Sequence, residues 1–244
     1  VNLVYLRLEI LRILRSPQFA LFTIAVPVGM FLLFGSLFGG DPEPGGVPTI
    51  VTTMLNMAAY GSMSGALFTG TRVATDRTDG WQRQLRLTPM RAPGYLAVKV
   101  ASAMAMALPV LLTVFVAGAL YGVHLSVEQW VLSGLALWLG VLPFAVLGLL
   151  LGLYGKGDTV GAMTGALMLP LGVFGGLWMP LAFLPNWMSE VAHFLPTYWL
   201  GRLGAMPIGH GSGLALAAGV LAAWLVLPAL VVLRRFRLDP GKVV

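Results

Sequence analysis

The sequence predicts an all-α membrane protein with six transmembrane helices and both ends in the cytoplasm, on three observations. The first is composition. Of 244 residues, 58% are hydrophobic and 10% charged, whereas a soluble domain carries about a quarter charged residues to solvate its surface. The second is a series of apolar runs, at roughly 19–38, 50–71, 95–120, 130–153, 160–178 and 213–233, each close to the ~20 residues that cross a hydrocarbon core. The third is the placement of charge. Starting inside, the cytoplasmic segments 1–18, 72–94, 154–159 and 234–244 hold Arg7, Arg12, Arg15, Arg72, Arg77, Arg83, Arg86, Arg91, Lys156, Arg234, Arg235, Arg237 and Lys242. Lys99, near the start of the third run, can snorkel to the same side. Only Arg202 remains outside, so fourteen of the fifteen cations share one face, as the positive-inside rule requires.

These observations exclude other classes. Spanning strands alternate apolar and polar residues over about ten positions, and these runs do not. The net charge of +6 is a topological signal, so no nucleic-acid partner is expected. The chain has no Cys, which removes disulfides, thiolate metal sites and Cys nucleophiles. No cleavable signal is expected, because a long polar–apolar segment precedes an over-long first run. The domain reading is an interfacial helix over 1–18 followed by a six-helix transmembrane domain over 19–244, one domain overall.

Taken in order, residues 1–18 place Leu3, Leu6, Ile10, Ile13 and Leu14 at helical spacing among Arg7, Arg12 and Arg15. This predicts a basic amphipathic helix on the cytoplasmic leaflet, broken at Ser16-Pro17, with a possible second use as a lever for a cytoplasmic partner. Residues 39–49 and 121–129 are short outer turns. The stretch 179–212 is longer and amphipathic, with Trp178 just before it and Trp187, Tyr198 and Trp199 within it suited to the interface. It reads as short helices dipping into the outer leaflet, which are tolerable only when packed on protein or exposed to water.

The inner loop 72–94 carries the densest pattern. Asp76 and Asp79 precede Gly80, then Trp81, Leu85 and Leu87 interleave with Arg83 and Arg86, and Thr88-Pro89 closes the segment. Acids at the start and bases towards the end of a short helix suit its dipole, and Pro89 stops it. The plain reading is a solvated basic loop. The functional reading is a short rigid helix presented to a cytoplasmic protein.

Here the sequence resembles a known family. Asp76, Asp79, Gly80, Leu85, Thr88 and Pro89 are similar to the coupling-helix loop of type 2 ABC transporter permeases, with Asp in place of the more usual Glu and Trp81 in place of a small hydroxyl residue. Gly175-Gly176, Pro180, Leu184-Pro185, Trp187-Met188, Leu195-Pro196 and Tyr198 resemble the family's pattern before its last helix, where short helices re-enter from outside. The resemblance covers essentially the whole chain. It implies a bacterial cytoplasmic membrane location, a separate nucleotide-binding ATPase subunit that grips residues 76–89, Trp81 and Arg83 among them, and a second permease chain facing this one. It also implies that ATP and Mg are held by the partner, with no cofactor on this chain.

The residues agree that ATP is handled elsewhere. No GxxxxGK[ST] occurs, and Gly152-Leu153-Tyr154-Gly155-Lys156-Gly157 has neither the spacing nor the hydroxyl. No catalytic residues are expected: Ser62 and Ser64 in GSMSG suit close helix packing better than a nucleophile near His124, His193 or His210. No metal site is expected, since those histidines show no ligand spacing.

An ion-coupled carrier or channel is the main rival class. Such proteins place an acid or base within a span, and the six runs carry none deep in their apolar core. Candidates to line a path are Met54, Asn56, Met57 and Tyr60 on the second run, and Phe174, Trp178 and Met179 at the outer end of the fifth. Any one of these could be ordinary core. As a set, Met and aromatic side chains form an adaptable apolar surface. Together with the resemblance, they point to export of a drug, antibiotic or lipid-like compound. A polysaccharide exporter of the same family stays open, though the Trp and Tyr rings cluster near the outer end. Pro180, Pro185, Trp187, Pro196 and Tyr198 shape the outer re-entrant segment.

Overall fold

The computed structural model describes residues 20–38, 48–78, 92–155, 157–178, 181, 185–209 and 213–238. Among them there is no β-strand, and the regular elements are helices. A π-helical turn at Ala20–Ala25 leads into α1 (Val26–Phe38), whose buried residues Pro27, Phe31 and Gly35 recur every four positions. Then come α2 (Thr49–Thr78) and α3 (Ala92–Leu120). The next apolar stretch divides into α4 (Val127–Gly140) and α5 (Leu142–Tyr154). After α6 (Gly157–Phe174), two short helices, α7 (Asn186–Ala192) and α8 (Pro196–Ala205), precede α9 (Leu214–Leu238).

Three helical stretches among the described residues are long and apolar enough to cross a membrane: Gly94–Leu120, Val127–Tyr154 and Leu214–Arg235. Thr23–Phe38 and Thr159–Phe174 are shorter apolar helices. Their outward faces carry Leu112, Val116, Leu139, Val226, Leu227 and Leu230, all exposed. Apolar side chains covering whole helix faces are poorly matched to water and well matched to lipid.

α2 differs because it is interior. It is the longest helix, at 30 residues, and packs against α1, α3, α5, α6 and α8. Met54, Leu55, Ala58, Ala59, Met63, Ala66 and Leu67 are fully buried along it. A helix surrounded by protein gains from small residues that let its neighbours approach, so α2 carries Thr, Ser, Ala and Gly where a lipid-facing helix would carry Leu. Its hydroxyls close on their own helix: Ser64 Oγ donates to the Tyr60 carbonyl at 2.6 Å and Thr69 Oγ1 to that of Gly65 at 2.8 Å.

The closest approach is between α2 and α5. A Cβ on Gly70 would lie 2.0 Å from the Gly148 carbonyl carbon, and one on Gly152 would lie 2.3 Å from the Gly70 oxygen. Only glycine on both helices allows backbones this near.

Two helix boundaries follow from local chemistry. Ser126 caps α4, accepting from the Gln129 backbone N–H at 3.2 Å while the Gln129 side chain accepts from the Ser126 N–H at 3.0 Å, which satisfies two otherwise orphaned donors. The run predicted as one span over 130–153 is interrupted at Val141, two residues before Pro143. Proline has no N–H to continue the ladder, and α5 begins afresh.

The loop predicted over 72–94 is shorter than expected. α2 runs on to Thr78 and α3 starts at Ala92, leaving residues 79–91 between them. Both helix ends carry their polar residues further than a hydropathy boundary allows. The predicted interfacial helix over 1–18 lies outside the described residues.

Candidate functional site

Two clusters stand at opposite ends of α2. At its C-terminal end, Asp76 and Lys99 form an ion pair of 2.6 Å between Oδ2 and Nζ, with side-chain exposures of 2% and 0%. Lys99 Nζ also lies 5.6 Å from the centre of the Tyr95 ring, one turn earlier on α3. Val73, Tyr95, Leu149, Leu153 and Val232 pack together beside it, drawing α2, α3, α5 and α9 to one place. On the neighbouring surface the Arg235 guanidinium sits 5.2 Å from the Tyr154 ring, joining the ends of α9 and α5.

This cluster corrects two expectations. Lys99 does not snorkel to solvent, and Asp76 does not sit in an exposed loop ready to touch a partner. Each is withdrawn from water and neutralised by the other. A buried charge is tolerated only when paired and hydrogen-bonded, and the two residues supply that for each other across 23 positions of sequence. The other residues expected to meet the ATPase, Asp79, Gly80, Trp81, Arg83, Leu85, Thr88 and Pro89, lie outside the described residues.

Towards the other end of α2, Tyr60 meets Trp178 edge to face, with ring centroids 5.3 Å apart and planes at 73°. Gly172 on α6 makes room for them, since a Cβ there would lie 2.9 Å from both Tyr60 Cε2 and Trp178 Nε1. One turn earlier on the same face of α2, Asn56 reaches α8, its Oδ1 being 3.1 Å from where a Gly201 Cβ would stand. α6 closes in a Schellman turn: Gly176 has φ +71°, its N–H donates to the Val173 carbonyl at 3.1 Å, and the Leu177 N–H reaches that of Gly172 at 3.0 Å. That turn carries Trp178 back over Tyr60.

Two polar atoms here are buried without a hydrogen-bond partner, Trp178 Nε1 and Thr197 Oγ1. Thr197, in the first turn of α8, stands against Gly175, whose Cβ would collide with its hydroxyl. Buried polar atoms are almost always satisfied; elsewhere in the core Ser62 Oγ, Ser133 Oγ and Thr164 Oγ1 are likewise without a hydrogen-bond partner.

The path residues expected from sequence separate into groups. Asn56 and Tyr60 share a face with Trp178. Met54 instead points at α3, where a Cβ on Gly118 would lie 2.1 Å from its Sδ, and Met57 is buried in the main core. Phe174 turns to Trp187 of α7, centroids 6.3 Å apart. Met179 and Pro180 lie outside the described residues. Thr197 and Gly172 were not singled out from the sequence, where nothing marks a Thr after Pro196 as unpartnered.

The segment holding α7 and α8 is tied down by indoles. Trp199 Nε1 donates to the His193 carbonyl at 2.7 Å, and Trp224 Nε1, from α9, donates to that of Phe194 at 2.9 Å. Pro185 stands immediately before α7 and Pro196 is the first residue of α8, a position where a missing N–H costs nothing. Arg202 donates to the Tyr198 hydroxyl at 3.0 Å, and His193 lies against the same ring at 4.7 Å.

A bundle built on a buried, small-residue helix, with lipid-type faces outside and a paired charge cluster at one end, defines a multi-pass membrane transport protein. The family model for the ABC-2 type transporter matches residues 2–203, and the chain belongs to that family: it is the membrane permease of an ABC transporter. It is similar to a Bacillus subtilis (strain 168) protein named "Putative transport permease YvfS", with 29% identity over 205 residues, covering 83% of each chain. The family is the membrane component of its transporters and implies an ABC ATPase as partner.

Proposed function

We propose that this permease exports hydrophobic or amphiphilic compounds, of the drug, antibiotic or lipid-like kind, across a bacterial cytoplasmic membrane. In this reading the chain makes six spans, formed by α1, α2, α3, α4 with α5, α6 and α9. Residues 1–18 lie along the cytoplasmic leaflet, the ends are cytoplasmic, and α7 and α8 dip in from the outside. The partition of fourteen cations to one side supports that orientation. The ATPase subunit, holding ATP and Mg, grips residues 79–91, and a second permease chain completes the pathway.

The observation that carries the cargo class is the Tyr60–Trp178 region. Aromatic surface with a few unpaired polar atoms is the chemistry of a site for amphiphiles: the rings receive the apolar body, and Trp178 Nε1 donates to an acceptor on it. Thr197 Oγ1 and Asn56 offer further hydrogen bonds within reach of the same helices. The described parts of the spans hold no acid or base facing this region, which suits neutral or weakly polar cargo.

The test is reconstitution. Proteoliposomes holding the permease with its ATPase should accumulate or release a neutral lipophilic fluorophore only when ATP is supplied, and a soluble oligosaccharide should not move. Cargo flux driven by a proton or sodium gradient without the ATPase would reject this reading in favour of an ion-coupled carrier. Preferential movement of the oligosaccharide would place the chain among polysaccharide exporters.

A further inference from the structure

We infer that Asp76 and Lys99 are a positioning pair. Their ion pair joins the ends of α2 and α3 that flank residues 79–91 into one frame, so a displacement of that segment moves both helices together. The inference rests on the reading that an ATPase acts on residues 79–91, and it assigns Asp76 a role through Lys99 in place of direct contact with the ATPase.

The first argument is placement. Asp76 is two residues from the end of α2, and Lys99 is two turns into α3. The pair therefore closes a loop in which the intervening segment is the only chain between the two helix ends. Force applied to that segment alone could splay the helices; a 2.6 Å contact between them prevents it.

The second argument is what α2 is already fastened to. Gly70 and Gly152 hold it against α5, and Val73 fills the next turn, with its Cβ 3.0 Å from where a Gly152 Cβ would stand. α5 in turn packs on α9. α3 already packs along α2, and Lys99 adds a directional tie near the end of that interface. Packed elements of this kind shift between discrete arrangements and do not bend continuously, so the frame moves as a unit.

The third argument is chemical. If stability alone were needed here, apolar residues of similar volume would serve as well or better, because two charges must be stripped of water to meet. Apolar side chains can slide past one another at little cost. A charge-assisted hydrogen bond is short and directional and fixes register. The Tyr95 ring, 5.6 Å from Nζ, further limits where the ammonium can go.

Two double variants test this in the permease–ATPase complex, with folding, co-purification of the ATPase and cargo moved per ATP as readouts. Asp76→Leu with Lys99→Met removes the desolvation cost and keeps the volume. It should fold and bind the ATPase as wild type does, yet move about tenfold less cargo per ATP. Asp76→Lys with Lys99→Asp restores the tie and should recover at least about half of the wild-type ratio.

An apolar pair that moves cargo at the wild-type ratio would overturn the inference, since packing alone would then suffice. So would a reversed pair that stays as uncoupled as the apolar one, which would mean Asp76 acts through its own charge on the ATPase. If the wild-type chain binds no ATPase, the coupling reading fails, and hydrogen exchange on the isolated permease decides the frame. Faster exchange at both 70–78 and 92–100 in the apolar pair, reversed in the swapped pair, supports it; acceleration at one end or neither overturns it.

Discussion

The two ends of α2 are built on opposite rules. At the Asp76 end, helices touch backbone to backbone through Gly70, Gly148 and Gly152, and Asp76 and Lys99 form a buried ion pair. At the Tyr60 end, rings lean on each other edge to face, and Trp178 Nε1 and Thr197 Oγ1 are left without partners. The first arrangement leaves little room for adjustment and suits a region that transmits displacement. The second leaves polar groups without partners, which on the proposed reading suits a region that receives varied molecules. On the proposed reading, one helix would be rigid where it is driven and adaptable where it is loaded.

The largest effect expected from breaking this contrast is at the glycine contact. Gly70→Leu places a side chain where a Cβ alone would be 2.0 Å from backbone. Backbone cannot yield as a side-chain tip can, and overpacking already costs about 1–3 kcal/mol when side chains can shift. The variant should lose its folded peak in size-exclusion chromatography. A monodisperse Gly70→Leu protein with wild-type melting behaviour would remove the rigid contact from the account.

Next comes the ion pair taken one side at a time. Lys99→Met removes one partner of a buried ion pair, and breaking such a pair costs about 3–5 kcal/mol. Thermal unfolding in nanodiscs should show a large drop, most of it recovered when Asp76→Leu is added.

At the other end the expected cost to the fold is small. Trp178→Phe keeps a ring against Tyr60 and deletes an N–H that has no partner, so stability should change by less than about 1 kcal/mol. The cargo concentration for half-maximal transport should nevertheless rise several-fold, because a donor to the cargo is lost. A variant with unaltered cargo dependence would mean that Nε1 faces nothing that moves. The smallest effect is at the loop end of α4, where Ser126→Ala removes a cap worth about 1 kcal/mol and should leave transport per ATP unchanged.

Much of the architecture was legible in the sequence, and the limits have physical causes. The all-helical class was legible in the apolar runs because lipid demands long apolar stretches, and short helices begin at Asn186 and Pro196 before α9. The C-terminal end of α2 was placed too early because hydropathy treats Arg72 and Asp76 as signs of water. Burial of opposite charges on two helices can cancel that signal, and a pairing across 23 residues leaves no local trace. The packing role given to small residues in GSMSG was sound in kind, but the tightest contact falls at Gly70, whose partner at Gly148 cannot be known before the helices are placed. Of the path residues expected, Tyr60 lies against Trp178, whereas Met54 turns towards Gly118, which spacing alone did not reveal.

The central claim is that drive enters beside residues 79–91 while cargo is received near Tyr60 and Trp178. Cargo-stimulated ATP hydrolysis by the reconstituted complex measures both at once. The account predicts that Leu85→Ala abolishes the stimulation at every cargo concentration, whereas Trp178→Phe keeps its full height and shifts only the concentration needed. Full stimulation in Leu85→Ala, or a lowered ceiling with unshifted concentration in Trp178→Phe, would contradict it.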